Sequence, residues 1–244
     1  RQKWNWAGKT FYKVSEFLAT ILPNHIVTDA IDVQQYYEKR YKKTSTLISY
    51  GAPEEKATTT VVLDQYGLNP GDYVLYVSRM EPENNAHRVV RAFEKVHSDK
   101  KLVMVGDAPY SHNYIANLKK TKDARIIFTG YVFGEGYREL QSNAYCYVQA
   151  TEVGGTHPAL VEGMGYGNCI LANDVPEHRE VLDETGIYFS PTDDDDLRSK
   201  LQMLLDNPNI VQQRQRIVLE RVRARYSWDR VAEQYDELFH KVAK

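Results

Sequence analysis

The chain has 244 residues, 42% of them hydrophobic, with 31 Lys/Arg against 33 Asp/Glu for a net charge of −2. This is the composition of a globular chain long enough to bury a substantial core, and the near-neutral balance excludes a general nucleic-acid binder, which needs a marked basic excess. No apolar run approaches the ~18 residues of a membrane-crossing helix, and the start, Arg1-Gln2-Lys3-Trp4, leads into no short apolar core of the secretory kind.

Residues 1–50 hold eight Lys/Arg and four Asp/Glu, so the basic excess is concentrated there and the remainder is acidic. Their pattern predicts a helix at 13–22, a short strand at 26–28, a helix at 32–42 and a second short strand at 46–49. A helix plus one β–α–β unit is too small to bury a core alone, so residues 1–52 read as the tail end of a preceding α/β domain. Opening without methionine and in mid-pattern, the chain reads as a piece of something longer. Trp4, Trp6, Phe11 and Tyr12 lie in this basic end. Aromatic and basic residues together suit peripheral contact with a membrane face. They suit still better a helix packed on another domain. Residues 53–72 read as a polar linker.

From residue 73 the pattern alternates regularly. Strands are predicted at 73–77, 101–105, 126–128, 144–148, 169–172 and 187–189. Helices fall between them at 85–96, 111–120 with Ser111 as N-cap, 136–142, 159–166 and 177–182. Near-continuous apolar strands alternating with amphipathic helices predict a doubly wound parallel sheet covered on both faces, a Rossmann-like domain over 73–226. The acidic run 193–196 reads as the first turn of a helix, where carboxylates favour the dipole. Ser227 is predicted to cap a final helix at 227–244, with Val231, Tyr235 and Phe239 along one face. Cys146 and Cys169 sit within apolar strands, which predicts buried free thiols in a reducing cytoplasm.

Ligands of such sheets sit at the carboxyl ends of the strands, and the candidate site residues fall there. Arg79 follows the first main strand and can clamp a diphosphate with its fork of donors. A solvated loop arginine fits the position as well. Asn84 or Asn85 reads as the cap of the next helix. Gly106 and Asp107 follow the second strand, and glycine there permits close approach of a ligand. Tyr131 and Val132 follow the third, where backbone beside an aromatic can hold a nucleobase or form a plain turn. The most informative stretch follows the fourth strand, from Glu152 through Gly154, Gly155, Thr156, His157 and Pro158 to Glu162. The glycines allow a sharp turn. The helix start offers free N–H groups and a positive dipole end for phosphate. The Glu162 carboxylate can accept from a pair of sugar hydroxyls. His157 can bond phosphate or sugar, or simply cap the helix. His87, His97, His112 and His178 have no zinc-like spacing with the cysteines, so no metal site is expected. Neither a Walker-type loop nor a G-x-G-x-x-G is present.

As a set, Tyr76-Val77-Ser78-Arg79, Val105-Gly106-Asp107, Phe128-Thr129-Gly130-Tyr131-Val132, the Glu152–Glu162 loop-helix and Tyr226-Ser227-Trp228 resemble the nucleotide-sugar-binding, C-terminal half of the family-four (group 1) GT-B glycosyltransferases, over about residues 73–243. Glu81-Pro82-Glu83-Asn84-Asn85 and the stretch from Glu152 to Pro158 resemble a bacterial rhamnosyltransferase-like subgroup of polysaccharide assembly. The resemblance implies transfer of a sugar from a nucleoside-diphosphate donor to a glycan or lipid-linked acceptor, with retention. It implies no cofactor and no metal, a cytoplasmic location at the inner face of the membrane, and an acceptor side on an N-terminal domain missing here. It assigns Arg79, His157 and Glu152 to the chemistry. It assigns Gly106, Asp107, Tyr131, Val132, Gly154, Gly155, Thr156, Glu162 and position 84 to donor binding. Two departures stand out. Asn84 replaces the family's usual lysine, removing one charge from the phosphate site. Nine residues separate Glu152 from Glu162 where the family has seven, so only Glu162 carries over cleanly, as the ribose ligand. A sugar-nucleotide epimerase of the same fold and a non-catalytic nucleotide-binding or partner module remain open beside this reading. Apolar faces left without partners in residues 1–50 predict self-association and no transfer by this chain alone.

Overall fold

The structure, a computed structural model, describes residues 5–152 and 155–243. Trp4 and Gly154 therefore lie outside the described residues. The N-terminal unit holds helix α1 (Trp6–Leu18), strand β1 (Val27–Thr28), helix α2 (Ile31–Tyr41) and strand β2 (Thr46–Leu47), the two strands pairing in parallel. The first helix starts earlier than the apolar pattern predicts, because the Asn5 side chain accepts from the Gly8 N–H at 2.8 Å and caps it. Trp6, Phe11 and Leu22 are strongly exposed there. The span read as linker holds a further helix, α3 (Val61–Gln65). Its start is secured by the buried Glu139 carboxylate, which accepts from the Val62 N–H at 2.6 Å and from the Thr59 hydroxyl, and its Leu63 is fully buried.

The main body follows as β3 (Tyr73–Val77), α4 (Ala86–Phe93), β4 (Lys101–Val105), α5 (His112–Leu118), β5 (Ile126–Gly130), α6 (Gly134–Ser142), β6 (Cys146–Gln149), α7 (Pro158–Gly165), β7 (Ile170–Asn173), α8 (Pro176–Leu182) and β8 (Ile187–Phe189). Helices α9 (Asp194–Asp206), α10 (Pro208–Arg225) and α11 (Trp228–Val242) close the chain. The acidic run does open a helix, with the Asp193 side chain accepting from the N–H groups of Asp195 and Asp196. Ser227 caps α11 through the Arg230 N–H at 3.3 Å. Ser111 precedes α5 but makes no side-chain cap bond. The helix expected at 85–96 is shorter at both ends: Asn85 is left-handed at φ 60° after the 3₁₀ turn Pro82–Asn84, and beyond Phe93 the chain tightens to i→i−3 bonds, the N–H groups of Lys95 and Val96 donating to the Ala92 and Phe93 carbonyls.

The six strands form one parallel sheet in the order β5-β4-β3-β6-β7-β8. Side chains alternate between its faces. Val74, Tyr76, Met104, Val148 and Leu171 point to a core closed by α4 and α9. Tyr73, Leu75, Val103, Tyr147 and Ala172 point to one closed by α3, α6, α7 and α10. Burial on both faces explains the continuous apolar runs. Cys146 and Cys169 are buried free thiols, and burial pushes both up in pKa, Cys169 to about 12. On α11, Val231 and Leu238 pack on Ile48 of the N-terminal unit, while Phe239 of the expected stripe stays exposed. Among the described residues no helix is long and apolar enough to cross a membrane.

Candidate functional site

Chain order and sheet order diverge at one place. The chain runs outward from β3 through β4 to β5, then returns to lay β6 on the other side of β3. The strand ends diverge at such a switch point and leave a crevice. A cleft of about 400 Å3 opens there, lined by Val77, Ser78, Arg79, Val105, Gly106, Tyr131, Val132, Phe133, Gly134, Tyr137, Ala159 and Glu162.

Each lining group is positioned by its element. Arg79 leaves the end of β3 with its side chain 66% exposed and 3.9 Å from the buried Glu81 carboxylate. Gly106 sits at φ 127°, its N–H donating to the Gly130 carbonyl at 2.8 Å, and a Cβ there would collide with the Ser78 carbonyl. Glycine is thus required where the two strand ends converge. Met104 pairs with Phe128 but Val105 pairs with Gly130, so Thr129 is an extra residue in the edge strand. A bulge of this kind redirects the chain beyond it. The Tyr131 and Phe133 rings stack at a centroid distance of 5.6 Å, both exposed, on the rim of the cleft. In the same lining Glu162 accepts a hydrogen bond from the Tyr137 hydroxyl at 2.6 Å. Burial, and then the adjacent Glu162 charge, push the Tyr137 phenol far above its usual range, so it stays protonated.

Of the residues singled out in the sequence, Arg79, Gly106, Tyr131, Val132 and Glu162 converge on this cleft. Others are held elsewhere. Asn84 is buried, its side-chain amide donating to the Arg79 carbonyl at 2.7 Å while its own carbonyl accepts from Tyr76. It shapes the Arg79 loop rather than facing a ligand. The Asp107 carboxylate accepts from the Ala108 N–H at 2.7 Å and lies outside the cleft lining. The Thr156 hydroxyl donates to the Asp29 carbonyl at 2.8 Å and joins the loop to the N-terminal unit, and Gly155 lies against that unit, where an added Cβ would come within 3.2 Å of the Asp29 carboxylate, outside the cleft lining. Glu152 accepts from the Asn85 amide at 2.7 Å and pairs with the buried Arg88 at 3.5 Å; Arg88 also binds Asp194. His157 occupies the N-cap position of α7 without a side-chain cap bond, its ring 5.5 Å from that of His178. Burial lowers its pKa, with Asp29 acting against and Arg79 with that shift, so the imidazole is neutral at pH 7.

Tyr137, Gln141, Phe133 and Asn168 escape sequence reasoning. The i, i+4 spacing of Tyr137 and Gln141 on one helix was a usable signal, since such residues share a face. Nothing local marks Asn168. Among the described residues no group of three or more His, Cys, Asp or Glu could hold a metal.

A family model described as "Glycosyl transferases group 1" matches residues 71–207. The chain belongs to that family, and its sheet is the Rossmann-like C-terminal half of the GT-B fold. It is similar to the O-antigen chain mannosyltransferase B of Escherichia coli, 25% identical over 162 residues, covering 64% of this chain and 42% of that protein. The chain thus spans less than half the length of this relative. Among solved structures it resembles Anabaena HepE in complex with UDP and glucose, with a TM-score of 0.85 at 15% identity over 96% of this chain and 67% of that one. It also resembles the sucrose-phosphate synthase of Thermosynechococcus elongatus, with a TM-score of 0.78 at 19% identity over 96% of this chain and 62% of that one.

Proposed function

We propose that this chain is the donor-binding half of a retaining glycosyltransferase that moves a hexose from a nucleoside diphosphate to a glycan or lipid-linked acceptor on the cytoplasmic side of a membrane. The observation that carries the reading is the convergence of Arg79, Gly106, Glu162 and the Tyr131–Phe133 pair on one cleft at the switch point. In this reading the stacked rings hold the base and Glu162 accepts from the ribose hydroxyls. Arg79 and the amino-terminal end of α7 meet the diphosphate. They stabilise the charge that develops on the leaving group as the sugar–phosphate bond breaks. His157, neutral and within the electrostatic reach of Arg79 and Asp29, donates in this reading to a phosphate or sugar oxygen. Glu152, set by Asn85 and Arg88, stands on the sugar side. The motifs favour rhamnose and the Escherichia coli relative's name favours mannose, so a donor screen separates the two.

Calorimetry with UDP, GDP and dTDP tests the reading, and millimolar nucleotide without heat or thermal shift would sink it. Glu162→Ala should keep the fold and weaken the preferred nucleotide about 10- to 100-fold, the worth of a charged hydrogen bond of ~1.5–3 kcal/mol. Unchanged affinity would make Glu162 structural. We also propose that diphosphate binding here needs no divalent cation. EDTA should then leave the affinity unchanged, and a large loss restored by magnesium or manganese would overturn this.

A further inference from the structure

Behind Glu162 runs a chain of buried polar side chains with a defined direction. At its inner end the Asn168 amide donates to the Gln141 main-chain carbonyl at 2.9 Å. A carbonyl can only accept, so the Asn168 amide is fixed with its NH2 toward Gln141. The same NH2 donates to Gln141 Oε1 at 3.1 Å. That fixes the Gln141 amide in turn, with its Nε2 toward Tyr137, to whose hydroxyl it donates at 2.9 Å. The Tyr137 oxygen thus receives a proton from behind. Its own single proton is directed forward to Glu162 Oε2 at 2.6 Å, the length of a charge-assisted bond. Gln141 and Asn168 are almost wholly buried, while Tyr137 and Glu162 line the cleft. Each link polarises the next, so the terminal bond to the carboxylate is strengthened by the links behind it.

We infer that Tyr137, oriented by Gln141 and Asn168, is a positioning residue that holds the Glu162 carboxylate in the rotamer that receives the hydroxyls of a nucleotide ribose. The inference rests on the donor-site reading above. A carboxylate offers about four acceptor positions, and Tyr137 occupies one of them. The remainder stay free for a vicinal diol, on a side chain whose rotamer entropy is already lost before the ligand arrives. The relay thus preorganises Glu162, and its effect falls on the ribose alone.

Tyr137→Phe keeps the ring and removes only the hydroxyl. By calorimetry on the 244-residue chain, UDP affinity should fall about tenfold, the worth of one charged hydrogen bond. Affinity for 2′,3′-dideoxy-UDP, which lacks the hydroxyls Glu162 would receive, should change by less than about twofold. In a Glu162→Ala background the same substitution should have no further effect on UDP. An equal loss for both nucleotides, or an additive loss in that background, would overturn the positioning role while leaving the donor site intact. Should the unaltered chain prefer GDP, the same comparison is made with GDP and its 2′,3′-dideoxy form; failure to bind any of UDP, GDP and dTDP would overturn the donor site and this inference with it. Should Tyr137→Phe not fold, Gln141→Met leaves the phenol in place and removes the donor that directs its proton. It carries the same expected and overturning results.

Discussion

Replacing Gly106 by alanine is expected to cost about 4 kcal/mol of folding free energy, through ~1–3 kcal/mol of backbone strain and ~1–3 kcal/mol of overpacking. The residue holds φ at 127°, a region that L side chains rarely adopt, and its Cβ would collide with the Ser78 carbonyl. Neither strain can relax locally. Ser78 is tied to β4 by its N–H bond to the Val105 carbonyl at 3.1 Å, and Gly106 to β5 by its bond to Gly130. Gly130 supplies the control. It is left-handed at φ 70°, yet a Cβ there meets nothing within 4 Å, so Gly130→Ala should cost only the ~1–2 kcal/mol of the left-handed backbone. Urea denaturation of both variants makes the comparison. Equal costs would show that the close approach of strand ends at Gly106 has no energetic weight.

Acidification should destabilise the chain by about 3 kcal/mol between pH 7 and pH 4 through His178. This histidine is fully buried, and burial lowers its pKa to about 4, with the Asn173 carbonyl bond opposing the shift and His157 adding to it. In the unfolded chain the imidazole regains its ordinary value near 6.5. Between the two values the unfolded state binds a proton that the native state refuses. Stability is therefore fully present above about pH 6.5, falls as pH drops through this window, and levels off below the folded value. His157 is shifted in the same direction and adds to the loss. Thermal and urea melts across this range are the measurement, with His178→Phe as the variant that cannot titrate. Its pH dependence should be flatter by most of the 3 kcal/mol. An unaltered chain as stable at pH 4.5 as at pH 7 would exclude the effect.

Alternation of apolar strands with amphipathic helices from residue 73 onward determined the doubly wound sheet, because a strand buried on both faces can be read from its own residues. The gathering of Arg79, Gly106, Val132 and Glu162 was legible for the same reason. In a parallel sheet, residues that follow successive strands share one edge whatever the helices between them do. The Ser227 cap and the helix opening at the acidic run 193–196 were equally plain, though the structure makes Asp193 the cap rather than part of the first turn. What the chain decided only in three dimensions depends on partners far apart along it. Helix α3 was hidden because its cap, Glu139, lies 77 residues beyond Val62. Asn84 turned inward because the Arg79 carbonyl needed a donor, and the Thr156 hydroxyl was taken by the Asp29 carbonyl, 127 residues before it. The environment of Glu162 is the clearest case. Its place on the first turns of α7 marks its carboxylate as a candidate sugar ligand in the sequence. The Tyr137–Gln141–Asn168 chain that orients it is assembled from α6 and the turn before β7, and it exists only because tertiary packing buries polar groups that must then satisfy one another.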